Sequence, residues 1–488
     1  MKKLFALSLF LFVGILTAQT DKDIAASTVV YQEIKDQIFY ISSDELLGRD
    51  TGSEGIAMAA DYIMDALKSY GAKPVPGANG FLQEVPLLRV GPSKTRMLTI
   101  NGKEHSKVLN FTSTEIIHSE NIVYLGFGTD DDFENADVKG KFVIVKAGIK
   151  EGQSPMELFN EIEPKVDRAR KAGALGMIEL APLNPMIWGF VENSFENERV
   201  MLENDLTEDD FHLIWVLDSD KEIANSLSSE KKVAISIDFS GAEKKPFVCH
   251  NIVAYIEGTD PVLKNEYIVY GAHYDHVGVG TPDATGDSIY NGARDNGVGT
   301  VSLMQMAKNL GKHPTKRSAL FIFFTAEELG LLGSDYYVKN PLLPLENMVY
   351  LLNSDNAGYN DTSLITIFGL YRTNMSDHFK TAASAFGLTA IDDPAPEQNL
   401  FDRSDNVNFA KKGVPAPTFS MGFSSFSGHL LETYHQPSDV AETIDYDYLV
   451  KFYKSYILTG RLIANDPTRP FWTPGDKYEE AGKELYKK

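Results

Sequence analysis

The sequence predicts an α/β protein with a mostly parallel sheet that helices cover on both faces, and with a smaller β-rich domain inserted into the chain. From Asn251 onward, apolar runs of strand length alternate with segments in which apolar residues have helical spacing. Between about Gly91 and Pro246, short strands and loops predominate instead. The alternation predicts the main domain, and the change of pattern predicts the insertion.

Residues 1–18 have the pattern of a signal peptide. Two lysines precede an uncharged, mostly apolar run from Leu4 to Leu16, and a small-residue cleavage site follows Ala18. The run is short for a membrane span, although an uncleaved anchor is the alternative, and no later stretch is long and apolar enough to cross a bilayer. We therefore expect an exported protein, periplasmic or extracellular.

Residues 19–90 are predicted to form the N-terminal part of the main domain. Ala25 to Tyr40 and Gly55 to Tyr70 each show the apolar spacing of a helix, and a polar loop joins them. A turn then precedes a predicted strand at Phe81 to Leu87.

Residues 91–246 are predicted to form the inserted domain. Lys141 to Lys146 and Ile178 to Leu180 have the apolar character of strands, and Val166 to Gly173 has that of a helix ending at glycine. No metal-ligand residue types gather there at useful spacing. A binding or lid domain is therefore favoured over a second active site.

Residues 247–488 are predicted to form the main part of the α/β domain. The strands expected are Glu266 to Tyr270, Ala319 to Phe324, Met348 to Leu352 and Ala416 to Ser420. The helices expected between or after them are Val298 to Leu310, Asn374 to Phe386 and Tyr446 to Leu462. The polar tail from Asp466 to Lys488 is expected to be peripheral.

Composition and charge narrow the possible partners. The chain has 488 residues, of which 68 are acidic and 46 basic, for a net charge of −22. Such a balance argues against a nucleic-acid or anionic-membrane partner, because either would need a basic face. The single cysteine, Cys249, excludes an internal disulfide framework. The sequence does not indicate the oligomeric state.

Acidic and imidazole side chains follow the predicted strands of the main domain. Open α/β sheets bind ligands outside the carboxyl ends of their strands, so these positions are the ones at which a site is expected. The residues found there, at the start of one intervening helix and near the end of the chain, are His273, Asp275, His276, Asp295, Glu327, Glu328, Asp355 and His435.

Imidazole and carboxylate groups are ligands for a divalent metal such as zinc. Two zinc ions that share a carboxylate need about five protein ligands, and the set expected is His273, Asp295, Glu328, Asp355 and His435. By spacing alone His276 is an alternative to His273. Asp275 is placed to orient the His273 imidazole, and Glu327 is the expected general base that takes a proton from water held by the metal.

Four segments in this order and spacing resemble the motifs of the zinc aminopeptidase family, which also includes glutamate carboxypeptidase, the transferrin receptor and the glutaminyl cyclases. They are HYDHVG at 273–278, GARDNG at 292–297, TAEELGLLGS at 325–334 and YHQPSD at 434–439. The middle of the chain resembles the protease-associated domain that many members carry, through GKFVIV at 140–145 and ARKAGALGMI at 169–178.

The resemblance implies roles that agree with those above. It makes His273 rather than His276 the ligand, Asp295 the bridging carboxylate, Glu327 the general base and Asp275 the residue that orients His273. It also implies that Arg403, in the phrase Arg-Ser-Asp, contacts the substrate backbone.

The function expected is that of an exported di-zinc aminopeptidase that removes N-terminal residues from peptides. A carboxypeptidase or dipeptidase acting at the same site is the alternative within enzymes. A non-catalytic, receptor-like binding protein is disfavoured because the general base and all five ligands are present. A glutaminyl cyclase is disfavoured because both halves of a double metal site are present.

Overall fold

The computed structural model describes residues 19–112, 115–134, 136–196, 198–205, 211–230, 232–425 and 428–487. The predicted signal peptide, residues 1–18, therefore lies outside the described residues. The chain divides into two compact units, one formed by residues up to Gln83 together with those from His250 onward, and the other by Glu84–Cys249.

The first unit begins with three helices and a 3-10 turn between the second and third. They are α1 (Asp21–Thr28), α2 (Tyr31–Ile41), the turn Asp44–Arg49 and α3 (Glu54–Ser69). The Ser53 side chain accepts a hydrogen bond from the Ile56 amide at the start of α3, which satisfies one amide that the helix leaves free. Ile56, Ala60, Ile63 and Leu67 are buried along one face of this helix, as its apolar spacing predicts.

Among its described residues, the second unit contains more strands than helices. The elements are β1 (Leu82–Val90), β2 (Thr95–Ile100), β3 (Lys103–His105), β4 (Val108–Asn110), β5 (Ile116–Tyr124), α4 (Asp130–Glu134), β6 (Phe142–Lys146), α5 (Pro155–Asn160), α6 (Ile162–Lys171), β7 (Gly176–Ala181), α7 (Pro185–Glu196), β8 (Arg199–Leu202), β9 (His212–Leu217), α8 (Glu222–Leu227) and β10 (Val233–Ser240). The strand order is β3-β2-β10-β5-β6-β7-β9-β4, and β5, β6, β7 and β9 run parallel.

Strand β6 shows that both faces of this sheet are packed. Phe142 and Ile144 belong to one cluster of buried apolar side chains, whereas Val143 and Val145 belong to another. Successive side chains of a strand point to opposite faces, so the second unit has a core on each side of its sheet.

The first unit resumes within a long strand and continues as alternating strands and helices. The elements are β11 (Lys244–Ile256), β12 (Tyr267–His273), α9 (Gly299–Lys312), β13 (Ser318–Phe324), α10 (Leu332–Lys339), β14 (Met348–Ser354), β15 (Leu364–Phe368), α11 (Ser376–Ala385), β16 (Thr389–Ile391), α12 (Asn406–Lys411), β17 (Thr418–Met421), α13 (Gly428–Leu431), α14 (Tyr446–Asn465) and α15 (Glu479–Tyr486).

The sheet of this unit follows the order β16-β15-β17-β14-β12-β13-β11. Strands β13, β12, β14 and β17 are parallel to their neighbours within that group, whereas β11 pairs antiparallel with β13, and β15 pairs antiparallel with β17. The α/β prediction is confirmed, and the four central strands bring their carboxyl ends to one edge.

The observed domain boundaries and the C-terminal tail differ from the sequence-based expectations. The expected boundary after residue 90 lies at the end of β1, and the one after residue 246 lies within β11. Both strands continue across the division between the units. The expectation of a peripheral tail is wrong, because Trp472 is only 3% exposed and α15 follows it. Among the described residues, no helix has the length and apolar character needed to cross a membrane.

Candidate metal centre

The carboxyl ends of three parallel strands carry the expected site residues. Strand β12 ends at His273, β13 is followed within four residues by Glu327 and Glu328, and β14 is followed directly by Asp355. The left-handed backbone of Ala326, with φ of 55°, turns the chain between β13 and the two glutamates. Such strained positions in non-glycine residues cluster at functional sites.

The first group of ligand types consists of His273, Glu327 and Asp355, whose ligand atoms lie within 4.8 Å of one another. His273 Nε2 is 3.4 Å from Asp355 Oδ1. The structure therefore brings two expected ligands and the expected general base together.

The second group consists of His276, Asp295, Glu328 and His435, again within 4.8 Å of one another. His435 Nε2 lies 3.0 Å from Glu328 Oε2, and His276 Nδ1 lies 2.7 Å from Glu328 Oε1. Three members were expected as ligands. His276 was the alternative to His273, and the structure places it beside Glu328.

Asp295 belongs to the second group and also faces the first. Its Oδ1 is 3.4 Å from His273 Nε2 in the first group, and its Oδ2 is 3.2 Å from His435 Nε2 in the second. One oxygen thus faces each group, which is the arrangement that a carboxylate shared by two metal ions requires.

The Asp275 carboxylate has more partners than the sequence indicates. Its oxygens accept hydrogen bonds from the backbone amides of Glu327 and Glu328, at 3.2 Å each. His273 Nδ1 lies 3.3 Å from the Asp275 carbonyl and 3.8 Å from its carboxylate. Asp275 therefore ties the turn that carries both glutamates to the end of β12.

Arg49 is a buried supporting residue that the sequence analysis did not identify. Its guanidinium is fully buried and donates hydrogen bonds to the carbonyls of Ile41, Tyr274, Asn291 and Gly292. Three of these carbonyls, those of Tyr274, Asn291 and Gly292, flank the loops that carry the ligands. The sequence signal is the phrase Leu47-Gly48-Arg49 in the polar loop between the first two predicted helices, from which the contacts of the arginine could not be predicted.

Asp439 supports the loop of Asp295. Its carboxylate accepts hydrogen bonds from the Arg294 amide at 2.9 Å, the Asp295 amide at 3.1 Å and the Arg294 guanidinium at 2.8 Å. Charge-assisted bonds of this kind are strong, so Asp295 is held by a residue 144 positions away along the chain.

Burial and neighbouring charge shift the protonation of the site. Burial raises the pKa of Glu327 well above its usual value, and the carboxylates of Asp355 and Asp405 add to the effect while His273 opposes it. Burial also raises the pKa of Asp295, with Glu328 adding to it. Burial alone would raise the pKa of Glu328, but hydrogen bonds from His276 and His435 hold it well below its usual value.

The donor set fits divalent metal ions. Among the described residues, no lysine or arginine forms an ion pair with the carboxylates of Asp295, Glu327, Glu328 or Asp355. Carboxylates gathered at a buried site repel one another unless a cation is present. Oxygen and imidazole nitrogen donors in this arrangement suit zinc.

A pocket opens beside the two groups. His273, Asp295, Glu327, Glu328 and Asp355 lie in its polar wall. The apolar part of its lining consists mainly of Phe368, Leu400, Phe423, Leu430 and Leu431. Arg403, the expected contact for a substrate backbone, is also in the lining.

Comparison with known proteins identifies a peptidase segment. The model of peptidase family M28 matches residues 251–458, which confirms the resemblance inferred from the motifs. A probable leucine aminopeptidase 2 of Aspergillus oryzae is 34% identical over 108 residues, or 22% of this chain and 19% of its own length. Aminopeptidase YwaD of Bacillus subtilis is 26% identical over 340 residues, or 66% of this chain and 62% of its own length. The chain thus spans less than two thirds of these curated relatives.

One solved structure shares the fold. The aminopeptidase from Aneurinibacillus sp. strain AM-1 superposes with a TM-score of 0.57 at 21% identity, over 93% of this chain and 98% of that one. At this identity the likeness concerns the fold.

Proposed function

We propose that the protein is a zinc-dependent aminopeptidase that removes N-terminal residues from peptides, because residues 251–458 match the model of peptidase family M28. The observation that carries the proposal is the pair of neighbouring ligand groups, one of which contains Glu327, with Asp295 of the second group also facing His273 of the first at the wall of one pocket.

Two zinc ions are proposed as cofactors. His273, Asp295 and Asp355 would hold one ion, and Asp295, Glu328 and His435 the other. Bound there, zinc would polarise the scissile carbonyl and lower the pKa of water from 15.7 toward about 7. We propose that His276 orients Glu328 through its Nδ1 hydrogen bond and is not itself a ligand.

Glu327 is proposed to carry the proton. Its backbone is held by the Asp275 carboxylate, while its side chain lies in the pocket wall. A carboxyl group in this position can accept a proton from the attacking water and return it to the leaving amine.

The pocket lining supports a preference for peptides whose first residue has a large apolar side chain. Phe368, Leu400 and Leu430 give it an apolar wall, and burying such a side chain there is favourable by about 1.5 to 3 kcal/mol. Arg403 would donate hydrogen bonds to the peptide backbone. The same arginine favours one alternative, a carboxypeptidase or dipeptidase, because a guanidinium also binds a terminal carboxylate.

Three further proposals concern the second unit, the helices around the main sheet and residues 1–18. We propose that the second unit is a protease-associated domain, supported by its two-sided core and the phrases quoted above. Helix cover on both faces of the main sheet is proposed because every residue of β13 and β14 is buried. Export is proposed from the signal pattern of residues 1–18, and N-terminal sequencing of protein recovered outside the cytoplasm tests it.

The proposed reaction is tested by Glu327→Gln. Because the amide cannot accept the proton, the variant should bind zinc as the wild type does and lose on the order of 10²- to 10⁴-fold in kcat. Zinc content and turnover of a peptide with an apolar first residue are measured on both proteins. Normal turnover in a zinc-loaded variant would overturn this role of Glu327.

A further inference from the structure

Two stretches of chain that are distant in sequence form neighbouring parts of the apolar pocket wall. The first, residues 368–372, contributes Phe368, and the second, residues 400–403, contributes Leu400 and Arg403. Neither stretch supplies a proposed metal ligand. Because both stretches line the pocket, a change in the position of either would change the room left for an apolar side chain.

The first stretch is fixed to the tail of the chain through Arg372. Its Nε donates a hydrogen bond to Asp476 Oδ2 at 2.6 Å, and its Nη2 donates to Asp476 Oδ1 at 2.9 Å. The Thr473 amide also donates to the Arg372 carbonyl at 2.9 Å. A forked arginine–carboxylate pair sets orientation as well as distance, so the tail holds this stretch in one place.

The second stretch is fixed to the same part of the tail. The Tyr478 hydroxyl donates a hydrogen bond to Asp402 Oδ1 at 2.9 Å, and the Lys477 ammonium pairs with the same carboxylate. The neighbouring Phe401 ring has its centroid 3.8 Å from the Arg372 guanidinium carbon. Both stretches of the pocket wall therefore contact the tail, and Arg372 of the first stretch contacts Phe401 of the second.

The two stretches also touch directly, at a glycine. Gly369 has φ of +93°, and a Cβ atom built on it would lie 2.7 Å from the Phe401 ring. No side chain fits at that distance, so this contact depends on glycine.

The tail is itself anchored. The Trp472 side chain is 3% exposed, and its Nε1 donates a hydrogen bond to the Gly413 carbonyl at 2.9 Å. The Trp472 and Tyr478 rings lie 5.5 Å apart, and both flank the Arg372 guanidinium. The tail is thus a packed support for the two walls.

We propose that residues 472–478, here named the C-terminal clamp, are positioning residues that set the width of the substrate pocket and hence its selectivity for large apolar first side chains. This inference rests on the proposed function, since it concerns the pocket of that site. The clamp contacts the walls through Arg372 and Asp402, neither of which lines the pocket.

The test uses the full-length, zinc-loaded protein with Tyr478→Phe and, separately, Asp402→Asn. Each change loosens the second wall without altering a group in the pocket. For peptides that begin with leucine, kcat/KM should fall about 3- to 10-fold, mainly through KM, because a hydrogen bond of this kind contributes about that factor. For peptides that begin with alanine it should change less than about twofold, since a small side chain makes few wall contacts.

Tyr486→Phe is the matched control. It also removes one tyrosine hydroxyl from the tail, but that hydroxyl donates to the Met348 carbonyl and not to a wall stretch. The control should keep the wild-type leucine-to-alanine ratio and zinc content. An unchanged ratio in the two clamp variants, or an equal fall in Tyr486→Phe, would overturn the proposal.

Hydrogen–deuterium exchange separates failure of the clamp from failure of the proposed function. In Tyr478→Phe and Asp402→Asn, amides of residues 364–373 and 399–404 should exchange faster, while those of residues 291–298 should not change. If the wild type cleaves no peptide, the proposed function fails, and the exchange result alone decides whether the clamp holds the walls. Unchanged exchange in both stretches would reject the clamp.

Discussion

At the residue scale, His276 and His273 show how two histidines three positions apart take different places. His273 ends β12 and faces Asp295 and Asp355. His276 instead contacts Glu328 Oε1, which leaves Oε2 toward His435. A hydrogen bond to a ligand carboxylate orients that ligand and tunes the affinity of the site.

Replacing His276 with phenylalanine should weaken the binding of one zinc ion by about 10- to 100-fold, because Glu328 loses the donor that orients it. Zinc affinity is measured by competition with a chromophoric chelator, and His313→Phe, which replaces a histidine outside both ligand groups, is the control. Two ions held with wild-type affinity by the His276→Phe protein would show that this histidine does not position Glu328.

The pH dependence of zinc binding follows from His435. Burial lowers its pKa, but the carboxylates of Asp295 and Glu328 outweigh that effect and raise the pKa from 6.5 to about 10. A raised pKa means that this imidazole keeps its proton at neutral pH until zinc displaces it, and a histidine ligand must be neutral. The apparent affinity should therefore rise with pH from about 7 toward 9.

Chelator competition at several pH values measures that slope, and calorimetry in buffers of different ionisation enthalpy counts the protons released. His435→Asn should show a shallower slope. An affinity that stays constant over this range would contradict the assignment of His435 as a ligand.

At the scale of elements, the turn at residues 47–49 supports two ligand-bearing loops. Leu47, Gly48 and Arg49 all have positive φ, and a Cβ atom on Gly48 would lie 2.5 Å from the carbonyl oxygens of Gly278 and Tyr290. The Arg49 carbonyl accepts a hydrogen bond from the His276 amide at 3.2 Å. The turn thus fits closely against the loop that follows β12.

Arg49→Met should lower the free energy of unfolding by about 3 to 5 kcal/mol, because several buried carbonyls lose a charged donor. Zinc affinity should fall with it, since three of those carbonyls flank the ligand loops. Urea unfolding and zinc competition measure the two effects, with the exposed Arg96→Met as control. A variant as stable as the wild type would contradict this role of Arg49.

The sequence predicted the main strands because their apolar runs are uninterrupted. The runs at Ala319 to Phe324 and Met348 to Leu352 became β13 and β14 nearly unchanged. Strand β14 extends to Ser354, which is buried and donates a hydrogen bond to Ser302. The last residues of this strand are polar, and an apolar pattern does not include them. The end of the strand therefore could not be predicted from that pattern.

The backbone conformation of Asp295 could not be predicted from local sequence, although the predicted start of the following helix, at Val298, lies one residue from the observed start. An acid at the beginning of an apolar-periodic segment suggests an N-cap, yet α9 begins at Gly299 and Asp295 has non-helical φ of −103° and ψ of 94°. The Asp439 carboxylate holds its amide, and a contact over that distance along the chain leaves no local signal. The burial of Trp472 was likewise not predicted, because the residues around it in the tail are mostly polar.

At the scale of the whole molecule, the two units have separate cores. The second unit contains two apolar clusters formed from its own strands and helices. We therefore expect residues 84–249, expressed alone, to unfold cooperatively on heating, as an independent domain does. Circular dichroism and calorimetry measure the transition. A gradual loss of signal without a heat-absorption peak would show that this unit depends on the rest of the chain.

The central claim, a metal-dependent exopeptidase that acts at the amino end, is tested most directly with one peptide in free and N-acetylated forms. Each is incubated with the purified protein, with and without chelator, and the products are followed by mass spectrometry. Stepwise loss of residues from the free amino end, abolished by acetylation and by chelator and restored by zinc, is the predicted result. Loss from the carboxyl end would contradict it in favour of a carboxypeptidase, and no cleavage of either form by zinc-loaded protein would contradict it altogether.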